Sequence, residues 1–140
     1  MSKEEIRAKF RRFNEEVYNK GNMDAWDELF VPEYVEHTYP FGDIGPLNVV
    51  KARLAGLKSG VSNYHAVIDE LIAEGETVTM RFHSEGIHTG DLFGVPSTGK
   101  KIVINGCCVY RMNNGKVVEA FIYNDWLGLL QQLGVFPQLG

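Results

Sequence analysis

The sequence predicts an α+β domain, and three observations carry that prediction. Apolar residues recur at helical spacing through about the first 60 positions. From there onward they alternate with polar residues in twos, and the change of period happens once along the chain. Helices followed by strands that return as hairpins is the α+β order, and 140 residues is an ordinary length for one domain with its own core. A single domain over residues 1–140 is therefore expected, with no internal repeat, low-complexity tract or Pro/Ser-rich linker to divide it.

The first helix starts at Ser2, which with Glu5 forms a capping box, and Ile6, Phe10, Phe13 and Val17 then make one apolar stripe that ends near Gly21. Asn22 is positioned to cap a second, short helix carrying Trp26, Leu29 and Phe30, which Pro32 helps to stop. Tyr34 to Tyr39 reads as extended. Gly45-Pro46 opens a third helix whose buried side is Val49, Val50, Leu54 and Leu57, ending before Gly60.

Ala66 to Ala73 is the first strand of the second half, and Glu74-Gly75-Glu76 turns it into Thr77 to His88. In that strand Val78, Met80 and Phe82 share one face, while Arg81, His83 and Glu85 share the other. After a Gly/Pro-rich connection from Thr89 to Gly99, Lys101 to Met112 and Lys116 to Asp125 form a hairpin about Asn113-Asn114-Gly115. A turn of two or four residues puts Tyr110, Cys108, Gly106 and Ile104 on the face of Glu119, Phe121, Tyr123 and Asp125. A three-residue turn reverses that pairing. Leu127 to Leu133 closes the chain as a short apolar helix or turn.

Composition excludes several classes of function. The hydrophobic fraction is 44%, the charged fraction 23% and the formal charge −4, so the chain is neither disordered nor basic. The densest basic cluster, Arg7, Lys9, Arg11 and Arg12, is too small for a nucleic-acid footprint. The N-terminal MSKEEIRAKF lacks a signal peptide's apolar run, and no stretch is long and apolar enough to span a bilayer, so a cytoplasmic protein is expected. Cys107 and Cys108 are adjacent on a strand, point to opposite faces and are expected as free thiols. The four histidines show no metal-ligand spacing, so no metal site is expected. Gly94, Gly99, Lys100 and Lys101 fall short of a phosphate-binding loop.

Three segments, NKGNMDAWDELFVPEYVEH, LIAEGETVTMRFHSEGIHTGDLFGVPSTGKKI and VYRMNNGKVVEAFIYNDWLGLLQQLG, cover most of the chain. In their order and spacing they resemble the SnoaL-like polyketide cyclases, a branch of the nuclear-transport-factor-2-like, cystatin-type α+β cone fold. The resemblance implies a curved antiparallel sheet wrapped around the N-terminal helices, with a cone open at one end to a small, largely apolar ligand. It implies ring closure by aldol condensation or a related isomerisation of a carbonyl compound, without metal or organic cofactor, in a homodimer.

The resemblance puts an acid/base role on Asp125, which precedes Gly128-Leu129-Leu130-Gln131-Gln132-Leu133-Gly134. Such a carboxylate takes a proton from carbon between carbonyls and returns one to the new alkoxide, helped by burial against Phe121, Tyr123 and Trp126. The same residue is equally suited to capping the last helix. His88 continues the inward parity of Val78, Met80 and Phe82, and either polarises a substrate carbonyl or caps a loop. Tyr123, two residues before Asp125, is a donor to an enolate oxygen or a core tyrosine. His37, with Tyr34 and Tyr39, is expected at the mouth of the cone, and Trp26, Phe82 and Tyr110 along its wall. Two further readings stand beside the enzyme: a non-catalytic carrier of a small hydrophobic ligand, and an interaction module using the sheet's outer face around His65, Arg81 and His83.

Overall fold

The computed structural model describes residues 1–136; the last four positions of the expected domain, 137–140, lie outside the described residues. Helix α1 spans Lys3–Phe13, and the capping box forms as expected: the Glu5 N–H donates to Ser2 Oγ at 3.1 Å, and the Ser2 N–H reaches back to the Glu5 carboxylate. Ile6, Phe10, Phe13 and Val17 are all buried. From Asn14 to Asn19 the helix widens into a π-turn, after which Gly21 takes a positive φ and stops it.

A 3-10 turn over Met23–Ala25 leads into α2, Trp26–Leu29. Asn22 makes no side-chain cap there; its amide turns toward Glu16 instead. Phe30 already belongs to strand β1, Phe30–Tyr39, and Pro32 lies within it, where the pairing register breaks between Phe30 and Val35. A short β2, Gly42–Ile44, folds back on β1, and α3 spans Leu47–Ser59. Leu47 takes the buried place expected of Val49, which is 49% exposed. The helix starts at Leu47, so Leu47, Val50, Leu54 and Leu57 share a stripe and Val49 falls behind it.

The remaining strands are β3 (Val61–Glu74), β4 (Thr77–His88), β5 (Lys101–Asn113) and β6 (Lys116–Asn124), closed by α4, Trp126–Gln132. They form one six-stranded sheet in the order β2-β1-β6-β5-β4-β3. Neighbours are antiparallel except β1 and β6, which run parallel because the whole intervening chain crosses from one to the other. The sheet is therefore mixed and open, curved around the N-terminal helices as an α+β cone.

Bulges generate that curvature. Strand β3 carries an extra residue between Ser62 and His65 and another between Ile68 and Glu70. In the final hairpin Asn113 pairs with Lys116 across a two-residue turn, Asn114 and Gly115, both at positive φ. Val118 is then an extra residue in β6, so Val117 and Ala120 are both fully buried. This bulge inverts the expected pairing. Tyr110 and Cys108 face inward with Ala120 and Ile122, while Glu119, Phe121 and Tyr123 go to the outer face.

Two apolar clusters fill the interior. The larger packs Phe10, Phe13, Trp26, Phe30 and Tyr34 against β4, β5 and β6, with Phe13 and Phe30 centroids 4.8 Å apart and Phe30 edge-on to Tyr34 at 4.8 Å. The smaller holds α4 to the sheet through Val61, Leu92, Ile102, Ile104, Leu129 and Leu133. The π-turn is tied to β3 by polar contacts: the Asn14 and Asn19 amides each donate to the Ala66 carbonyl at 3.0 Å, and the Ala66 N–H donates to Asn19 Oδ1 at 2.7 Å. Among the described residues no helix is long and apolar enough to cross a membrane.

Candidate active site

Between the two clusters lies a cavity of about 590 Å³, a volume suited to a small organic ligand. Its walls include Phe13 and Tyr18 from the N-terminal helix, Met80, Phe82, Ile104, Cys108 and Tyr110 from the sheet, and Leu57, Leu92 and Trp126 from α3, the loop after β4 and α4. The π-turn matters to this wall, since it brings Asn14 and Tyr18 to the cavity together with Phe13. Gly106 matters for a different reason. A Cβ there would stand 2.6 Å from Phe82 Cζ and collide with Asn124 Oδ1, so the missing side chain is the space those two cavity residues occupy.

One carboxyl group lies deep in this cavity. On β1 the inward residues are Tyr34, Glu36 and Thr38, and Glu36 is only 9% exposed. The Tyr34 hydroxyl donates to Glu36 Oε1 at 3.1 Å. Burial pushes the Glu36 carboxyl above the usual range, because ionising it inside an apolar wall forfeits hydration; the Tyr34 bond and the Arg53 charge pull it partly back.

Arg53 comes from α3, three residues after Val50 and four before Leu57, and so lies on that helix's inward stripe. Its guanidinium sits over the Phe41 ring, 4.3 Å from the centroid. Nη1 is buried without a hydrogen-bond partner, and burial depresses the pKa of the group, although a guanidinium remains a cation. The indole Nε1 of Trp26, also on the cavity wall, is likewise buried and unpartnered. Tyr18, Tyr64 and Tyr110 bring three phenols to the same wall. Desolvation pushes all three phenols upward, which keeps them protonated and able to donate.

The residues expected from the sequence divide between this cavity and other places. Trp26, Phe82 and Tyr110 line it. Asp125 does not: it is exposed, and its Oδ1 accepts from the Gly128 N–H at 2.8 Å, so the capping role is the one its geometry realises. Its neighbour Asn124 faces the cavity instead, because the Val118 bulge exchanged the two faces of β6. Tyr123 is 53% exposed on the outer face, stacked on Tyr39 at 5.4 Å.

His88 is fully buried and turned to the connection after β4. The Thr98 N–H donates to Nδ1 at 3.2 Å, so Nε2 carries the proton and donates to the Val95 carbonyl at 3.2 Å. His88 therefore fastens the 95–98 loop. His37 stands on the outer face between two acids, with Nδ1 2.6 Å from Asp43 and Nε2 2.7 Å from Glu119, stacked on Phe121. Tyr34 belongs to the core, and Tyr39 to the outer face beside Tyr123, so neither forms a cavity mouth with His37.

Glu36 and Arg53 were missed in the sequence, and each carries a signal. Glu36 shares strand parity with Tyr34 and Thr38, and Arg53 interrupts the stripe of Val50, Leu54 and Leu57. A charged residue at an apolar position of an amphipathic pattern is a site candidate on that ground alone. Among the described residues no three His, Cys, Asp or Glu side chains cluster as a metal site would require.

The family model of the SnoaL-like polyketide cyclases matches residues 8–133. The aklanonic acid methyl ester cyclase DauD of Streptomyces sp. (strain C5) is 30% identical over 126 residues, covering 85% of this chain and 76% of its own. The structure of TsrD from Streptomyces laurentii superposes with a TM-score of 0.87 at 21% identity, over 97% of this chain and 99% of that one. A protein of ketosteroid isomerase-like fold from Catenulispora acidiphila, solved with trimethylamine, gives 0.69 at 16% identity, over 86% and 88% of the two chains. The structural likenesses are those of fold.

Proposed function

The chain belongs to the SnoaL-like polyketide cyclase family, and from that premise we propose that it catalyses enolisation followed by intramolecular aldol closure of a polyketide-like carbonyl compound, without metal or organic cofactor. The observation that carries this reading is the buried carboxyl of Glu36 in a cavity lined mainly by aromatic and apolar residues, where the other charged side chains among the described residues are Arg53 and Asp91. The aldol-type chemistry takes its support from the relative that is named a cyclase.

In the first step the Glu36 carboxylate removes a proton from carbon flanked by two carbonyls. A carboxyl held above its usual range by burial is a stronger base than an exposed one, so the apolar wall works in its favour. The charge then moves to the carbonyl oxygen, where a protonated tyrosine hydroxyl donates to the enolate; Tyr110, Tyr18 and Tyr64 all reach the cavity. The enolate carbon attacks a second carbonyl of the same molecule, one carbon–carbon bond forms, and the alkoxide takes back the proton from Glu36. No atom is gained or lost. Exclusion of water protects the enolate from premature reprotonation.

The test is deuterium uptake from heavy water into β-keto esters and polyketide-like diketones, with Glu36→Gln and Asp125→Asn beside the wild type. Uptake lost with Glu36→Gln and kept with Asp125→Asn is the expected result; the reverse pattern transfers the base to Asp125. Ligands that bind the wild type with no exchange at any pH assign the chain a carrier role.

A further inference from the structure

We propose that Arg53 makes the cavity selective for ligands bearing an anionic oxygen on a flat, largely apolar skeleton. The inference deepens the reading above, since it names the ligand class of the same cavity.

Arg53 lines the cavity from α3 with one face of its guanidinium covered by Phe41 at 4.3 Å, and a guanidinium recognises anions through its N–H edge. Nη1 is one of two buried side-chain donors or acceptors without a partner among the described residues. The other is Trp26 Nε1, and both groups are donors on residues of the cavity wall. A folded chain leaves such groups unpaired at a cost in stability, which a ligand acceptor that reaches the Arg53 guanidinium would offset.

The natural countercharge for Arg53 is Glu36, yet the two form no ion pair among the described residues; Glu36 takes its hydrogen bond from Tyr34. Asp91 is the other acid on the wall, and its Oδ1 accepts from the Gly94 N–H in the loop. Glu36 thus acts on Arg53 through space only, and among the described residues the guanidinium has no contacting carboxylate, so an anionic oxygen in the cavity gains both charge pairing and a directed hydrogen bond. The aromatic and apolar part of the wall, with Phe82, Tyr110, Trp126 and Met80, suits an extended ring or a conjugated chain.

An anionic oxygen of this kind is found on a carboxylate or on an ionised enol conjugated with a carbonyl. The experiment separates the two sources with β-naphthoate against its methyl ester, and with the acidic naphthoquinone lawsone against its methyl ether. Affinities are measured by titration calorimetry at neutral pH for the wild type, Arg53→Met and Arg53→Lys. The wild type is expected to bind at least one anion roughly tenfold or more tighter than its methylated counterpart, as charge-assisted hydrogen bonds allow. Arg53→Met should reduce that preference to within about twofold while keeping the affinity for the methylated compound, and Arg53→Lys should retain part of it. The methylated compound also reports that the cavity of each variant is intact.

Equal binding of anion and methylated form by the wild type overturns the proposal, as does a preference that survives Arg53→Met, or a wild type that binds none of the four. No turnover enters the measurement. Loss of deuterium uptake with intact anion selectivity would remove the catalytic reading alone, and exchange without anion selectivity would remove this one alone.

Discussion

Glu36 and Tyr34 face the same side of β1 two residues apart, and the Tyr34 hydroxyl donates to the Glu36 carboxyl at 3.1 Å on the buried side of the sheet. Tyr34 is itself buried and packed edge-on against Phe30, so the carboxyl is oriented by a hydroxyl whose ring is held in the core. The pair couples the aromatic core to the cavity. Core packing thereby sets the direction in which the candidate base presents its oxygens.

A pH dependence follows from burial. The folded-state pKa of Glu36 is raised above its unfolded value, so the native state binds more protons between the two and stability falls as pH rises through that window. Glu36→Gln removes the titration while keeping an oxygen for the Tyr34 hydroxyl. The variant should be as stable as the wild type below the unfolded pKa and progressively more stable above it. Urea denaturation across that range measures the difference, and parallel stability curves for the two proteins would refute the buried-carboxyl assignment.

His37 carries the opposite sign. Its two acid partners, Asp43 first and Glu119 second, raise its pKa, so the stabilisation is fully present below the unfolded value and disappears as pH rises through the folded one. The bonds join β1 to β2 and to β6. His37→Ala should cost a few tenths to about 1 kcal/mol in mildly acidic solution, the range for ion pairs in contact with solvent, and less in alkali. Thermal melts at both pH values read this directly.

The legibility of the fold differs from element to element for identifiable reasons. Ser2 with Glu5, and Ile6 with Phe10, Phe13 and Val17, are local signals, and α1 follows them. Strand β4 has the bounds that its alternation indicates, because one face is buried throughout. The β6 register was not recoverable: the turn has the residue count that predicts one pairing, and a single extra residue, Val118, produces the other. No local chemistry marks Val118 among its neighbours Val117 and Glu119. That one residue moves Tyr123 out and Asn124 in, and with them the candidate site. The parallel partner of β1 was equally hidden, since it depends on a strand about 80 positions later. Glu36 was legible in principle from parity, but only once Tyr34 and Thr38 are known to face inward.

Gly106 offers a test of the cavity's construction. Ala at this position brings a methyl against the Phe82 ring and the Asn124 side chain, both of which must shift into the cavity. Overpacking of this kind costs about 1–3 kcal/mol. Gly106→Ala should lower the melting temperature and weaken binding of a ring-sized ligand together. A variant that loses neither would mean that the two side chains have other room.

The last helix tests what Asp125 does. Its carboxylate accepts from the Gly128 N–H at 2.8 Å, and Gly128 itself is needed there, because a Cβ would collide with Asp125 Oδ2. Asn supplies an acceptor of the same reach, whereas Ala leaves the N–H without its partner. Asp125→Ala should therefore cost about 1 kcal/mol and Asp125→Asn much less. The consequence reaches the cavity through Trp126, the first residue of α4, which lines the wall and donates its indole N–H to the Tyr39 carbonyl at 3.0 Å. A loosened α4 should weaken ligand binding in Asp125→Ala in proportion to its loss of stability, with Asp125→Asn near the wild type in both. If Asp125→Asn instead abolishes deuterium uptake while its melting temperature is unchanged, the carboxylate acts on the substrate and the cap is the lesser of its two roles.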